Sequence, residues 1–140
     1  PGRSPAAIFA IVVVMERTAI IPADGAKSGG PYSPGIRHGD LLYISGQLGI
    51  DPATGDKVSG GFEAEVHQAL RNLHTVAEAA GGSMASVLKV TVYLADTADF
   101  PAMNEVYLTY FPEPRPARST VEVGLMRDFR VEIDAIVALA

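Results

Sequence analysis

The strongest constraint on this chain is a single apolar stripe along residues 62–80. Its members recur at intervals of three and four, which places their side chains on one face of an α-helix. Gly81 and Gly82 follow at once and predict the helix end, because glycine readily adopts the left-handed conformation found there. Such a helix needs a partner layer to cover its stripe. The stripe consists of Phe62, Val66, Ala69, Leu70, Leu73, Val76, Ala77 and Ala80.

Segments with strand periodicity can supply that layer. Residues 87–94 and 131–139 alternate between apolar and other side chains, which is typical of strands with one buried face. Shorter strands are predicted at 17–21, 41–45 and 119–125. The predicted core faces are Leu88, Val90, Val92 and Leu94 in one long strand, and Val131, Ile133, Ala135, Val137 and Leu139 in the other.

A second helix is predicted to begin at Asp99, with Pro101 in its first turn. The predicted order is strand, strand, helix, strand, helix, strand, strand, and both helices need the same sheet face. We therefore predict an α+β fold in which two helices pack on a mainly antiparallel sheet. Residues 15–140 are long enough for one domain of this kind.

Residues 1–14 form an N-terminal extension that contains an uncharged apolar run from Ala6 to Val14. The run is too short to cross a bilayer, which needs about 20 apolar residues. A signal peptide is disfavoured, because no small-residue cleavage site follows Val14. We expect the extension either to add a strand or to be foreign to a protein that starts at Met15.

Charge and composition exclude several classes of function. The formal net charge of −5, without any run of Lys or Arg, argues against nucleic-acid binding. The chain has no cysteine, so it has neither a disulfide framework nor a thiolate site. His67 and His74 are seven residues apart, too far along one helix to ligate the same metal. We predict no metal site.

Arg118 stands at the start of a predicted strand, after a loop that contains Pro112, Pro114 and Pro116. The prolines restrict the loop, so the arginine should extend from a stiff backbone. Its planar guanidinium can bind a carboxylate through two parallel hydrogen bonds. Taken alone, an ordinary surface arginine is the more frequent explanation.

Other candidate residues have two interpretations each. Tyr32, between two prolines, either offers its hydroxyl to a ligand or packs over a turn. Ser45 lacks the flanking glycines of a nucleophile elbow, so we interpret it as a hydroxyl near Gly46, where a ligand can approach the backbone. Asn104 is either a solvated helix amide or a group that holds the neighbouring loop. Glu132 is predicted on the sheet face opposite the core.

Taken together, the motifs of residues 17–139 resemble the RidA family, also called YjgF and often labelled L-PSP endoribonuclease. Each motif is weak alone, but their order and spacing are specific. One turn, at residues 125–130, is one residue shorter than the family pattern. The matching motifs are Gly30–Pro34, Ser45–Gln47, Asp51–Gly55, Asn104–Tyr107, Tyr110–Phe111, Pro116–Ser119 and Val131–Ala135.

The resemblance implies a chorismate-mutase-like fold assembled as a homotrimer, with a barrel-like centre and sites in clefts between subunits. It implies hydrolysis of reactive enamines and imines such as 2-aminoacrylate to 2-keto acids and ammonia, without a cofactor. The expected location is cytoplasmic, and neither nucleic acid nor membrane is expected as a partner. The alternatives are an endoribonuclease and a non-catalytic module that binds small carboxylates.

The resemblance also implies roles for individual residues. Arg118 would bind the substrate carboxylate, and Glu132 would position the attacking water or relay its proton. Backbone amides near Gly46 and Thr120 would complete the carboxylate site. The remaining pocket residues implied by the family are Tyr32, Ser45 and Asn104.

Overall fold

The helix predicted over the apolar stripe is present as α1, Phe62–Ala79. Gly81 ends it with a φ of 86°, and its N–H donates to the Glu78 carbonyl at 2.9 Å. The Gly82 N–H donates to the Ala77 carbonyl at 2.8 Å, which completes a Schellman motif. The structure, a computed structural model, describes residues 15–140, so the prediction for the N-terminal extension falls outside the described residues.

A six-stranded sheet carries this helix and a second one, α2 (Phe100–Tyr107), in the spatial order β1-β2-β3-β6-β4-β5. Every neighbouring pair is antiparallel except β4 and β5, which are parallel and are connected through α2. The predicted α+β class is confirmed as two helices on a mainly antiparallel, mixed sheet. The strands are β1 (Arg17–Ile20), β2 (Gly35–His38), β3 (Leu41–Leu48), β4 (Val87–Leu94), β5 (Ala117–Glu122) and β6 (Val131–Ala138).

Three details differ from the sequence-based prediction. Strand β2 was not predicted, because its four residues are too few to show an alternating pattern. Strand β3 does not end at Gly46 but passes through it with a register shift between Ile44 and Gln47. A second shift between Val87 and Lys89 turns Leu88 outward, so Val87 takes its predicted place in the core. Such bulges leave the hydrophobic pattern intact on both sides and are hard to see in sequence.

Both helices pack on one face of the sheet, where their apolar residues and those of β3, β4 and β6 form one cluster. Two polar side chains of α1 are buried at its edge. Asn72 on α1 donates to the carbonyls of Leu48 and Ile50 at 3.0 and 2.8 Å. These bonds fix the loop that follows β3 against the helix.

Glu65 on α1 is the second buried polar residue and is only 1% exposed. Its Oε1 accepts hydrogen bonds from the backbone N–H groups of Arg130 at 2.6 Å and Val131 at 3.2 Å. The Lys57 ammonium lies 3.4 Å from its other oxygen. Glu65 therefore fixes the residue at which β6 begins, because these donors lie at the entry to that strand.

Neither helix among residues 15–140 is both long and apolar enough to cross a membrane. In the same part of the chain, no three His, Asp or Glu side chains are grouped so that they could hold a metal ion. His67 instead places its Nδ1 2.8 Å from the Tyr110 hydroxyl, which joins α1 to the segment after α2.

Replacement of Asn72 by alanine should destabilise the protein by about 2 kcal/mol, because two carbonyls at the edge of the core lose their donor. The melting temperature at a fixed protein concentration measures this effect. The exposed neighbour Arg71 provides the control, and Arg71→Ala should change stability by less than about 0.5 kcal/mol. Equal melting temperatures for the two variants would contradict the role given to Asn72.

Candidate functional site

Arg118 lies on β5, directly opposite Val90 of β4, and therefore faces the helical layer. Its guanidinium carbon is 4.7 Å from the centre of the Tyr107 ring and 5.6 Å from that of Phe100. Both rings belong to α2, so the connection between the two parallel strands also supplies the surface on which the arginine rests. Contacts of this kind hold the plane of a guanidinium and leave its hydrogen-bond donors free.

The pocket around this side chain, here called the arginine pocket, has a volume of about 520 Å³. Among residues 15–140, no carboxylate pairs with Arg118, whereas the neighbouring Arg115 pairs with Glu113 at 2.9 Å. An unpaired cation in an open pocket is suited to bind an anion. The pocket is lined by Asn104, Tyr107, Leu108, Arg115, Pro116 and Arg118.

Tyr107 is the member of this pocket that the sequence did not identify. It is 5% exposed, and its buried hydroxyl has no hydrogen-bond partner among the described residues. Burial raises the pKa of the Tyr107 hydroxyl, and the charge of Arg118 opposes that rise. In the sequence Tyr107 was the last residue of the Asn104–Tyr107 motif, and its position gave no signal of contact with an arginine on β5.

Glu132 lies on β6, with Leu48 of β3 on one side and Tyr93 of β4 on the other. Its neighbours Val131 and Ile133 are buried under the helices, so its own side chain projects from the other sheet face, as predicted. The shorter turn at residues 125–130 does not displace it, since the register of β6 is regular from Val131 onward.

Gly46 lies against the Glu132 side chain at the bulge of β3. A Cβ atom placed on Gly46 would fall 2.8 Å from Cδ and 3.0 Å from Cγ of Glu132, closer than such contacts allow. A larger residue at this position would therefore displace the carboxylate. Glycine thus lets the Glu132 carboxylate lie against the backbone of β3, in the space that the sequence interpretation gave to a ligand.

Ser45 adjoins Gly46 on β3, and a hydrogen bond joins it to the turn that contains Tyr32. The Ser45 hydroxyl donates to the Ser33 carbonyl at 2.6 Å, so it holds the preceding turn. Tyr32 is 54% exposed, and its hydroxyl accepts a hydrogen bond from the Gly29 N–H at 3.2 Å. Tyr32 therefore packs over its turn and still presents an accessible ring. We call the strip formed by Tyr32, Ser45, Gly46 and Glu132 the glutamate surface.

The arginine pocket and the glutamate surface lie on opposite faces of the sheet. Strand β4 separates β5 from β6, and Arg118 is level with Val90 whereas Glu132 is level with Tyr93. Within one chain, the Cα atoms of Arg118 and Glu132 are therefore about 10 Å apart across the strands and about 10 Å apart along them. The sheet itself also lies between the two side chains. Asn104 lines the arginine pocket, and Thr120, opposite Val92, faces the helices like Arg118.

The electrostatic environment of Glu132 is unusual for a surface carboxylate. Burial raises its pKa, and the nearby charge of Asp134 raises it further. Asp134 in turn accepts a hydrogen bond from the Tyr93 hydroxyl at 2.8 Å, and this bond is the largest cause of the raised pKa of Tyr93. Perturbed groups of this kind are frequent at functional sites.

Comparison with known proteins identifies the family of this chain. The sequence model of the family described as Endoribonuclease L-PSP matches residues 24–139. A RutC family protein from Pyrococcus horikoshii is 47% identical over 121 residues, which cover 86% of this chain and 96% of the relative. A mouse protein named 2-iminobutanoate/2-iminopropanoate deaminase is 48% identical over 108 residues, covering 76% of this chain and 80% of the relative.

A solved structure leads to the same relationship. RidA from an Antarctic Psychrobacter superposes with a TM-score of 0.83 at 38% sequence identity, covering 87% of this chain and 99% of that one. This protein therefore belongs to the Endoribonuclease L-PSP family, also known as the RidA or YjgF family, as its motifs predicted.

Replacement of Glu132 by glutamine should raise the melting temperature at neutral pH. The pKa of Glu132 lies above its value in the unfolded chain, so the ionised carboxylate costs stability at any pH above the folded-state pKa. The gain should shrink as the pH falls through that pKa and vanish once both states are protonated. Thermal unfolding across the acid range measures the effect. The exposed Glu105 on α2 is the control, and a matching stabilisation by Glu105→Gln would contradict this explanation.

Proposed function

We propose that this protein hydrolyses small 2-imino acids, formed from enamines such as 2-aminoacrylate, to 2-keto acids and ammonia. The observation that carries the proposal is the unpaired Arg118 guanidinium, held against two aromatic rings in an open pocket. The name of the mouse relative, a 2-iminobutanoate/2-iminopropanoate deaminase, supports the same substrate class.

In this proposal the arginine pocket binds the carboxylate that such substrates carry next to the imine carbon. Arg118 forms two parallel hydrogen bonds to it, and contact with Tyr107 and Phe100 limits the rotation of the guanidinium before the ligand arrives. Asn104 adds an amide at the edge of the same pocket. The imine carbon is then held in one orientation for attack.

Glu132 supplies the proton transfers. Water attacks the electrophilic imine carbon and forms the C–O bond, while one of its protons passes to the ionised carboxylate. The proton then moves to nitrogen and gives a carbinolamine. Glu132 next takes the proton of the carbinolamine hydroxyl and passes it to nitrogen, so that the C–N bond breaks and ammonia leaves as the keto group forms. A carboxylate with a raised pKa suits both steps, because it holds the proton more firmly than an ordinary glutamate before returning it. Gly46, which has no side chain, lets the Glu132 carboxylate lie against the backbone of β3.

The proposed site requires two copies of the chain. One small molecule cannot touch Arg118 and Glu132 of the same chain, because they lie on opposite sheet faces. We therefore propose that the arginine pocket of one subunit meets the glutamate surface of the next, in a closed ring of three. The sheet face away from the helices offers exposed apolar residues for such contact, among them Tyr43 at 46% and Val121 at 41% exposure.

Imine hydrolysis is favoured over the RNA cleavage named in the family description. A net charge of −5 opposes the binding of a polyanion, and the arginine pocket suits a single small anion. A binding module without catalysis differs in one measurable respect, since it would retain 2-keto acids without accelerating imine hydrolysis.

Arg118→Ala should reduce imine hydrolysis at least about a hundredfold, because two charge-assisted hydrogen bonds to the substrate are lost. The measurement follows ammonia or keto acid released from an imine generated by an amino-acid oxidase. Arg118→Lys should recover only a small part of the rate, since it keeps the charge but not the planar fork. The control Arg71→Ala removes the same charge from exposed α1 and should retain full activity. Equal rates for Arg118→Ala and the wild type would exclude the proposal.

Mixing two inactive variants tests the shared site. Each proposed site takes its arginine from one chain and its glutamate from the next. When Arg118→Ala and Glu132→Gln chains assemble at random in equal amounts, both residues are intact in roughly a quarter of the sites. Co-expression should therefore restore roughly a quarter of the wild-type activity. No recovery in assemblies shown by mass spectrometry to be mixed would mean that both residues act from one chain or in separate sites.

A further inference from the structure

The sheet face away from the helices carries two carboxylates on one strand. Glu132 and Asp134 are separated by one residue on β6, so their side chains leave the same face with Cα atoms about 7 Å apart. The neighbouring strand β4 places Tyr93 opposite Glu132 and Thr91 opposite Asp134. The Tyr93 side chain reaches diagonally across, and its hydroxyl donates to Oδ2 of Asp134 at 2.8 Å.

The two carboxylates are therefore not equivalent. Asp134 has a hydrogen-bond donor, whereas none of the hydrogen bonds among residues 15–140 reaches the carboxylate of Glu132. A donor stabilises the ionised form of the group that receives it. Two nearby carboxylates with such different surroundings are suited to different roles in proton transfer.

We propose that Asp134, held by the Tyr93 hydroxyl, is a positioning residue that makes Glu132 the carboxylate of the pair that accepts and returns the proton. Asp134 has no contact with substrate in this arrangement and acts only through its charge and its fixed place. The proposal rests on the imine hydrolysis proposed above, and it adds a reason for the division of roles within the pair.

Among the ionisable groups on this face, Asp134 is the one that affects Glu132. Strand β3 contributes only Tyr43, which lies opposite Ile136, and its residues beside Glu132 are uncharged. The cation on this face of β4 is Lys89, whose ammonium is bonded to the Ser119 hydroxyl at 2.9 Å and the Val90 carbonyl at 3.3 Å. Lys89 is thus directed toward β5, away from the carboxylate pair on β6.

The direction of the pKa changes agrees with this geometry. Burial and the charge of Asp134 both raise the pKa of Glu132, and the hydrogen bond to Asp134 raises that of Tyr93 because the tyrosine proton is shared with a carboxylate. Above its pKa Glu132 can take the proton of the attacking water, and it can then return it to nitrogen. Loss of the Asp134 charge would make Glu132 a weaker base.

The test is the pH dependence of kcat/KM for imine hydrolysis in Asp134→Asn. Removal of the charge should move the acid limb of the profile to lower pH, so that the rate at acid pH rises severalfold relative to the plateau, while the plateau rate falls. Asp56→Asn removes the same charge from an exposed loop and should leave the limb in place. An acid limb that coincides with that of the wild type in an active Asp134→Asn enzyme would overturn the proposal.

Tyr93→Phe provides a second variant with a smaller structural change. Without the donor the two carboxylates lose the difference in their surroundings, and the acid limb should become shallower than in the wild type. An acid limb with the slope and position of the wild type would contradict the role given to the Tyr93 hydroxyl.

NMR titration of ¹³C-labelled glutamate carboxyls measures the protonation of Glu132 in the absence of substrate. It therefore distinguishes failure of this proposal from failure of the proposed function. If the wild type hydrolyses no imine, the function fails. A Glu132 titration that still moves to lower pH in Asp134→Asn would then support the coupling of the pair, and an unmoved titration would exclude it.

Discussion

The placement of Glu132 and Asp134 depends on where β6 begins. The buried carboxylate of Glu65 holds the N–H groups of Arg130 and Val131, and with them the first residue of the strand. Since side chains alternate along a strand, a shift of one residue would turn Glu132 into the core and Ile133 to the surface. The energy of burying alternate residues of β6 under two helices opposes such a shift. The register that buries these residues is thus the same register that places Glu132 on the outer face.

Much of this fold could be predicted from the sequence, because its long elements have strong periodicity. The stripe of α1 and the alternation of β6 set which residues are buried, and both predictions were confirmed. The missing strand β2 and the two bulges depend on pairing with distant residues, which a local pattern does not contain. The turn at 125–130 was shorter than expected for the family, yet the backbone N–H groups of Arg130 and Val131 donate to Glu65 and keep Glu132 in register.

The sequence named candidate residues but not the geometry that relates them. The structure places Arg118 and Asn104 together in the arginine pocket, and it brings Gly46 and Glu132 into contact on the other sheet face. Sequence alone could not place Arg118 and Glu132 on different sheet faces, because that depends on the parallel pairing of β4 with β5. It also missed the contacts of Tyr107 with Arg118 and of Tyr93 with Asp134, which join residues far apart in sequence.

The location of Arg118 and Glu132 on opposite faces has a consequence for how such a protein can be damaged. In the proposed ring each chain takes part in two sites, giving an arginine to one and a glutamate to the next. A chain defective at both residues would therefore disable two of the three sites in any ring it enters. A minority of altered chains would then remove activity out of proportion to their number, which is the behaviour that genetics calls a dominant-negative effect.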